Sequence, residues 1–149
     1  MDKTIKKITA KEILDSRGNP TLEVEVFAGS ASGKFSVPAG SSKGKHEAIE
    51  KRDGDMNHFQ GLGVGLAIDD IHNVINKQLL GFDVTNQEKI DEILLELDGT
   101  ENKSNLGGNT LIGVSIACAK AAAAALGKEV FEHLRALETI KPSRTAPLL

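Results

Sequence analysis

Hydrophobic and polar residues alternate through residues 21–27, with Leu22, Val24 and Val26 on one face and Glu23 and Glu25 on the other. That period of two predicts a strand with one buried and one wet face. Turn formers flank it: DSRGNP at 15–20 and AGSASG at 28–33. Residues 5–14 before the first turn and 34–37 after the second predict two further strands, so the N-terminal third reads as an antiparallel meander. From Val64 the period changes. Val64, Ile68, Ile71, Ile75 and Leu79 step by four, three, four and four, while Asp69, Asp70, Asn73 and Lys77 face away, which predicts an amphipathic helix. Thr85-Asn86-Gln87-Glu88 has the form of a capping box and predicts a second helix that ends at Gly99. Residues 110–126 are apolar or small nearly all round, so they predict a central helix closed by Gly127. Val130, Leu134 and Leu137 form a last short stripe. Strands followed by helices, without β-α-β alternation, predict an α+β fold: a three-stranded antiparallel β-meander followed by about four α-helices.

The 149 residues, 40% apolar and 26% charged, suit one domain with a real core, assigned to residues 1–140, with 141–149 as an exit segment marked by Pro142 and Pro147. A net charge of −3 and an aromatic content of 3% supply neither a basic field nor stacking platforms, so neither nucleic acid nor a membrane is an expected partner. The lone cysteine, Cys118, lies in an apolar run and reads as a buried thiol of a reducing compartment. The first residues have no apolar signal core, and no run reaches the roughly 18 apolar residues of a membrane helix. A cytoplasmic location is expected.

Candidate chemistry is sparse. Gly61, Gly63 and Gly65 follow the spacing G-x-G-x-G with no preceding strand, so entry into a helix explains them better than a dinucleotide site. His46, His58, His72 and His133 show no zinc spacing and read mostly as surface residues. The carboxylates at Asp53-x-Asp55, Asp69-Asp70 and Asp91-Glu92 read as solvated faces or turns. There remains VPAGSSKGKHEA, residues 37–48. Pro38, Gly40 and Gly44 allow movement and close approach to a ligand, while Ser41, Ser42, Lys43 and Lys45 offer donors to an anion or oxygens to a hard cation. On composition alone a plain exposed connection and a functional lid both fit.

Several motifs in order then narrow the field: ILDSRGNPTLEVEV at 13–26, the loop with EAIEKRDGD at 47–55, GLGVGLAIDDI at 61–71, and LDGTENKSNLGGNTLIGVSIACAKAAA at 97–123. Together they resemble the N-terminal domain of enolase, the phosphopyruvate hydratase family. The resemblance implies a meander-and-helix domain that packs against a catalytic barrel of about 250 residues. The barrel, with the family's base lysine, acid glutamate and the carboxylates for the tighter magnesium ion, is expected to lie outside these 149 residues, and TAPLL at 145–149 resembles the lead into its first strand. The chain is therefore expected to carry no catalytic residue of its own and to be inactive alone.

What the resemblance assigns to this domain is a substrate lid, Ala39, Gly40, Ser41, Ser42, Lys43 and Gly44, which closes over 2-phosphoglycerate or phosphoenolpyruvate and excludes water. In the family's V-P-S-G-A-S-T-G pattern a serine of the lid ligates a second Mg2+ through its carbonyl and hydroxyl; Ala39 stands there, leaving a backbone carbonyl and, two residues on, the hydroxyl of Ser41. Lys43 replaces threonine, which suits either a contact to phosphate or a loop released from catalysis. Arg17 matches an arginine of the family's homodimer interface, and a charge supporting its own turn is the equal alternative. The implied function is that of a lid and dimer-contact domain, serving dehydration of 2-phosphoglycerate when a barrel is present in cis or as a separate chain. The alternatives are a stand-alone, non-catalytic interaction module and a divergent enzyme acting on another carboxylate.

Overall fold

A computed structural model describes residues 2–40 and 44–138. Three of the lid residues named above, Ser41, Ser42 and Lys43, and the exit segment 141–149 lie outside the described residues.

The meander forms as the alternation predicts: β1 (Ile5–Leu14), β2 (Pro20–Ala28) and β3 (Ala31–Ser36) pair antiparallel in the order β1-β2-β3. Opposite partners include Ala10 with Val24 and Val24 with Phe35, so the buried set of β2 lies in the middle of the sheet. Leu22, Val24 and Val26 are fully buried, each worth about 2 kcal/mol of apolar burial. On the other face Glu23 sits among Lys11, Lys34 and Ser36, which stabilise its carboxylate and lower its pKa, Lys11 foremost.

The first helical run starts in α1 (Gly65–Asp70), passes through a π-helical turn (Ile71–Ile75) and continues as α2 (Asn76–Leu79). Ile71, Ile75 and Leu79 are buried as their spacing requires. Next come α3 (Gln87–Asp98), α4 (Gly108–Ala125) and α5 (Val130–Leu137). Gly99 closes α3 in the left-handed conformation, with φ 67°.

The central helix is α4, which lies across β2 and β3. Its small residues are what permit the contact. A Cβ on Gly33 of β3 would collide with the backbone of Ala117, Lys120 and Ala121, and one on Gly113 would come within 2.9 Å of Val24 and 3.0 Å of Val37. Cys118 is enclosed here, and burial pushes its thiol up to about 12, so it is no nucleophile near neutral pH. By length and composition α4 matches a membrane span, against the expectation that no run would; 67% of it is buried within the fold.

Two local expectations are corrected. The predicted capping box at Thr85 does not form, because Asp83 takes both the Thr85 amide (2.9 Å) and hydroxyl (2.6 Å). Asn86 caps α3 instead, accepting from Lys89 N at 3.2 Å. On α5 the inward face is Val130, His133 and Leu137, not the stripe through Leu134, which is 45% exposed. His133, read as a surface residue, is buried.

Candidate functional site

Ala39, Gly40 and Gly44, from the loop of residues 39–44, flank an open cleft of about 440 Å3 at the hairpin end of the sheet. Its walls come from the β1–β2 turn (Asp15, Arg17, Asn19), the two sides of the 39–44 loop (Ala39 and Gly40; Gly44, with Glu47 beyond it) and the strap that follows (Ile49, Glu50, Arg52).

The turn is held by its own carboxylate. Asp15 Oδ1 accepts from Arg17 N (2.8 Å) and Asn19 N (2.9 Å), while Gly18, at φ 77°, supplies the left-handed step. Those amides, Asn19 first, keep the Asp15 carboxyl below the usual carboxylate range. Arg17 then reaches the 39–44 loop: its Nη2 donates to Gly40 O at 3.5 Å. On the far side Gly44 N donates to Glu47 Oε2 at 2.8 Å, closing a short turn. Gly40 and Gly44, the described ends of that loop, are thus each met by a charged side chain, Arg17 on one side and Glu47 on the other.

The strap has no helix or strand between the 39–44 loop and the turn at Phe59–Gly61, yet polar contacts hold it from Ile49 to Asp55. Arg52 is the hub. Its Nη1 donates to Pro20 O (2.6 Å) and Leu62 O (2.8 Å), and its Nη2 to Glu50 Oε2 (2.9 Å), joining sheet, strap and helix entry through one planar fork. Lys51 pairs with Asp70 and donates to Asn105 O (3.0 Å), while its backbone exchanges two hydrogen bonds with the Asn109 side chain. Asp53, read from sequence as a solvated turn carboxylate, instead receives the first amides of α1, Gly65 N and Leu66 N, both at 2.8 Å. Two free N–H groups at a helix start are satisfied by that one anion.

The glycine motifs acquire reasons in this network. A Cβ on Gly63 would lie 2.5 Å from Asp53 Oδ2, and one on Gly107 within 2.5 Å of Lys51 Cβ. G-x-G-x-G therefore makes room for the aspartate that starts a helix, as the helix-entry explanation requires, and Gly107-Gly108 lets the strap lie against the start of α4, where Gly108 N donates to Ile49 O at 2.7 Å. Sequence inspection missed Arg52, Lys51 and Asn109 altogether. Their only signal was three polar residues inside recognisable motifs.

A magnesium ion requires six oxygens in near-octahedral order. Among the described residues no group of three His, Cys, Asp or Glu side chains is placed to hold a metal, and Ala39 brings only its carbonyl. The described residues do not fit a resident ion. The arrangement instead places Gly40 and Gly44 over a hydrogen-bonded base beside the guanidinium groups of Arg17 and Arg52.

The family model for "Enolase, N-terminal domain" matches residues 5–134. The enolase of Methanosarcina acetivorans is 54% identical over 129 residues, which are 87% of this chain and 30% of that protein. The enolase of Methanococcoides burtonii is 50% identical over 131 residues, 88% of this chain and 31% of that protein. For the enolase of Methanosarcina barkeri the figures are 52% over 130 residues, 87% and 30%. The chain thus spans about three tenths of the length of these curated relatives.

Proposed function

The chain belongs to the enolase family, whose N-terminal domain it carries, and on that premise we propose that it is a lid domain: it presents residues 39–44 to an active centre housed on a barrel. The observation that carries this reading is the cleft, whose two lid flanks are pinned by Arg17 and Glu47 while the base below is fixed by Arg52 and Lys51. A fixed base with a short glycine-flanked crossing is what closure over a small anion needs.

The surface around that end supports a partner. Leu14, Met56, Phe59, Leu62 and Leu66, on the hairpin, strap and helix entry, are all exposed, Met56 by 71%. An apolar rim beside a polar cleft is suited to a second domain, in cis or as a separate chain. In the family's lyase reaction, a step of glycolysis, 2-phosphoglycerate loses water to give phosphoenolpyruvate, and a lid contributes by excluding bulk water and placing donors at the phosphate. Mg2+ on this reading is held by the barrel's carboxylates, with at most the Ala39 carbonyl added from here. Arg17 faces the lid through Gly40, so a contact to the other protomer of a homodimer would be made beside the lid rather than apart from it.

The test is direct. The purified chain, given magnesium and 2-phosphoglycerate, is expected to show no turnover, and phosphoenolpyruvate formation by this chain alone would refute the proposal. Ala39 and Lys43, both departures from the family's loop, favour the second reading, a non-catalytic interaction module. A reading frame that continues past Leu149 into a barrel would dispose of that second reading, whereas a stop codon there would strengthen it.

A further inference from the structure

The outer edge of β1 carries no fourth strand among the described residues: its start bonds to the backbone of the following turn, with Ile5 N donating to Phe82 O and Gly81 N to Ile5 O, two later amides are met by side chains, and the Glu12 carboxylate reaches out beyond them. Ile8 N donates to Asn76 Oδ1 at 2.7 Å, Ala10 N donates to His72 Nε2 at 3.0 Å, and Glu12 receives His58 Nε2 at 2.9 Å and Val64 N at 3.2 Å. This clasp blunts an edge that would otherwise invite pairing with another chain. It also fixes the helical run against the sheet, and His72 sits within the π-helical turn, a rare arrangement concentrated where a helix does something besides pack.

We propose that the clasp is proton-sensitive: protonation of His72 releases the Ala10 amide while the His58 end stays attached to Glu12. A neutral imidazole has one ring nitrogen with a lone pair, and here that nitrogen is the acceptor for Ala10. Adding a proton puts N–H on both nitrogens, so a donor then faces a donor and the bond is lost. At His58 the same event has the opposite sense, because a charged ring strengthens its pairing with the Glu12 carboxylate. The charged and titratable groups on the elements that meet here are Lys6, Lys7, Lys11 and Glu12 on β1, His58 before the run, and Asp69, Asp70 and Lys77 on it. Asp70 is taken by Lys51 and Glu12 by His58, and His72 is exposed, so protons reach its ring from solvent. The proposal stands on these contacts and does not rest on the reading of the lid.

Asn76 provides an internal control, since its amide oxygen caps the neighbouring edge position and does not titrate. Amide hydrogen exchange of this chain, expressed as protection factors between about pH 8 and about pH 5, compares Ala10 with Ile8 directly. Protection at Ala10 is expected to fall roughly tenfold on acidification while that at Ile8 holds, and the difference is expected to vanish in His72→Gln, which keeps an acceptor but loses the titration. Parallel protection of the two amides across the range in the unaltered chain would overturn the proposal. So would an acid-induced loss at Ala10 that persists unchanged in His72→Gln.

Discussion

Where α4 crosses β2 and β3 the contact is made by glycine, alanine and valine, with Gly33 admitting the helix backbone itself. From Ile49 to Gly63 no apolar side chain is buried, and position is set by Arg52, Lys51, Asp53 and the carbonyls and amides they meet. The first region is held by close packing, which is cooperative and tolerates no added volume. The second is held by individual polar bonds, each worth about 1–3 kcal/mol and each separately removable. Close packing carries the first region, and ties that can be removed one at a time carry the second, beside the cleft.

The contrast can be broken hardest at Gly33. Gly33→Val drives a side chain into the backbone of Ala117, Lys120 and Ala121, none of which can yield as a flexible side chain would. A loss of more than about 4 kcal/mol is expected, seen as failure to fold or a collapse of the urea midpoint. Little change would mean that α4 does not lie against β3 as described.

Arg52→Ala removes the fork that joins Pro20, Leu62 and Glu50. A smaller loss of roughly 2 kcal/mol is expected, and it should be local: proteolytic cleavage in the strap should quicken before the global melting transition moves much. Equal loss in both measurements would show strap and core to be one cooperative unit.

The mildest probe is acid at His133, 3% exposed on α5 with Nε2 unpartnered among the described residues. Burial, with Lys128 adding repulsion, lowers its pKa in the folded state. The unfolded chain therefore binds the proton more readily, so this group contributes stability above the ordinary histidine value near 6.5 and loses it as pH falls below that value. His133→Leu is expected to flatten the acid limb of the stability curve between about pH 6.5 and about pH 5, measured by urea denaturation at each pH.

What could be read from the sequence follows the same division. Alternation at Leu22, Val24 and Val26 and the small-residue run of α4 report packing against near neighbours, and near-neighbour periodicity survives in the sequence. The strap does not, because Arg52 bonds to Pro20 and Asn109 to Lys51 across many residues of chain. No local spacing records such contacts. Errors arose where two local choices compete. Asp83 outcompetes Glu88 for Thr85, and His133 and Leu134 both sit at helical spacing from Val130 and Leu137, so the face toward α4 was settled by tertiary packing. Of the lid, the resemblance supplied its place and residues, while the ties at Arg17 and Glu47 emerged only from the fold.

The central claim is that this domain closes over a reaction whose catalytic groups lie elsewhere. The most direct measurement joins residues 5–134 to the remainder of the Methanosarcina acetivorans enolase in place of its own N-terminal part, and follows phosphoenolpyruvate formation with Ala39 present and with Ala39→Ser. Turnover by the fusion, raised by Ala39→Ser, is the predicted result. A folded fusion that stays silent in both forms would contradict the account.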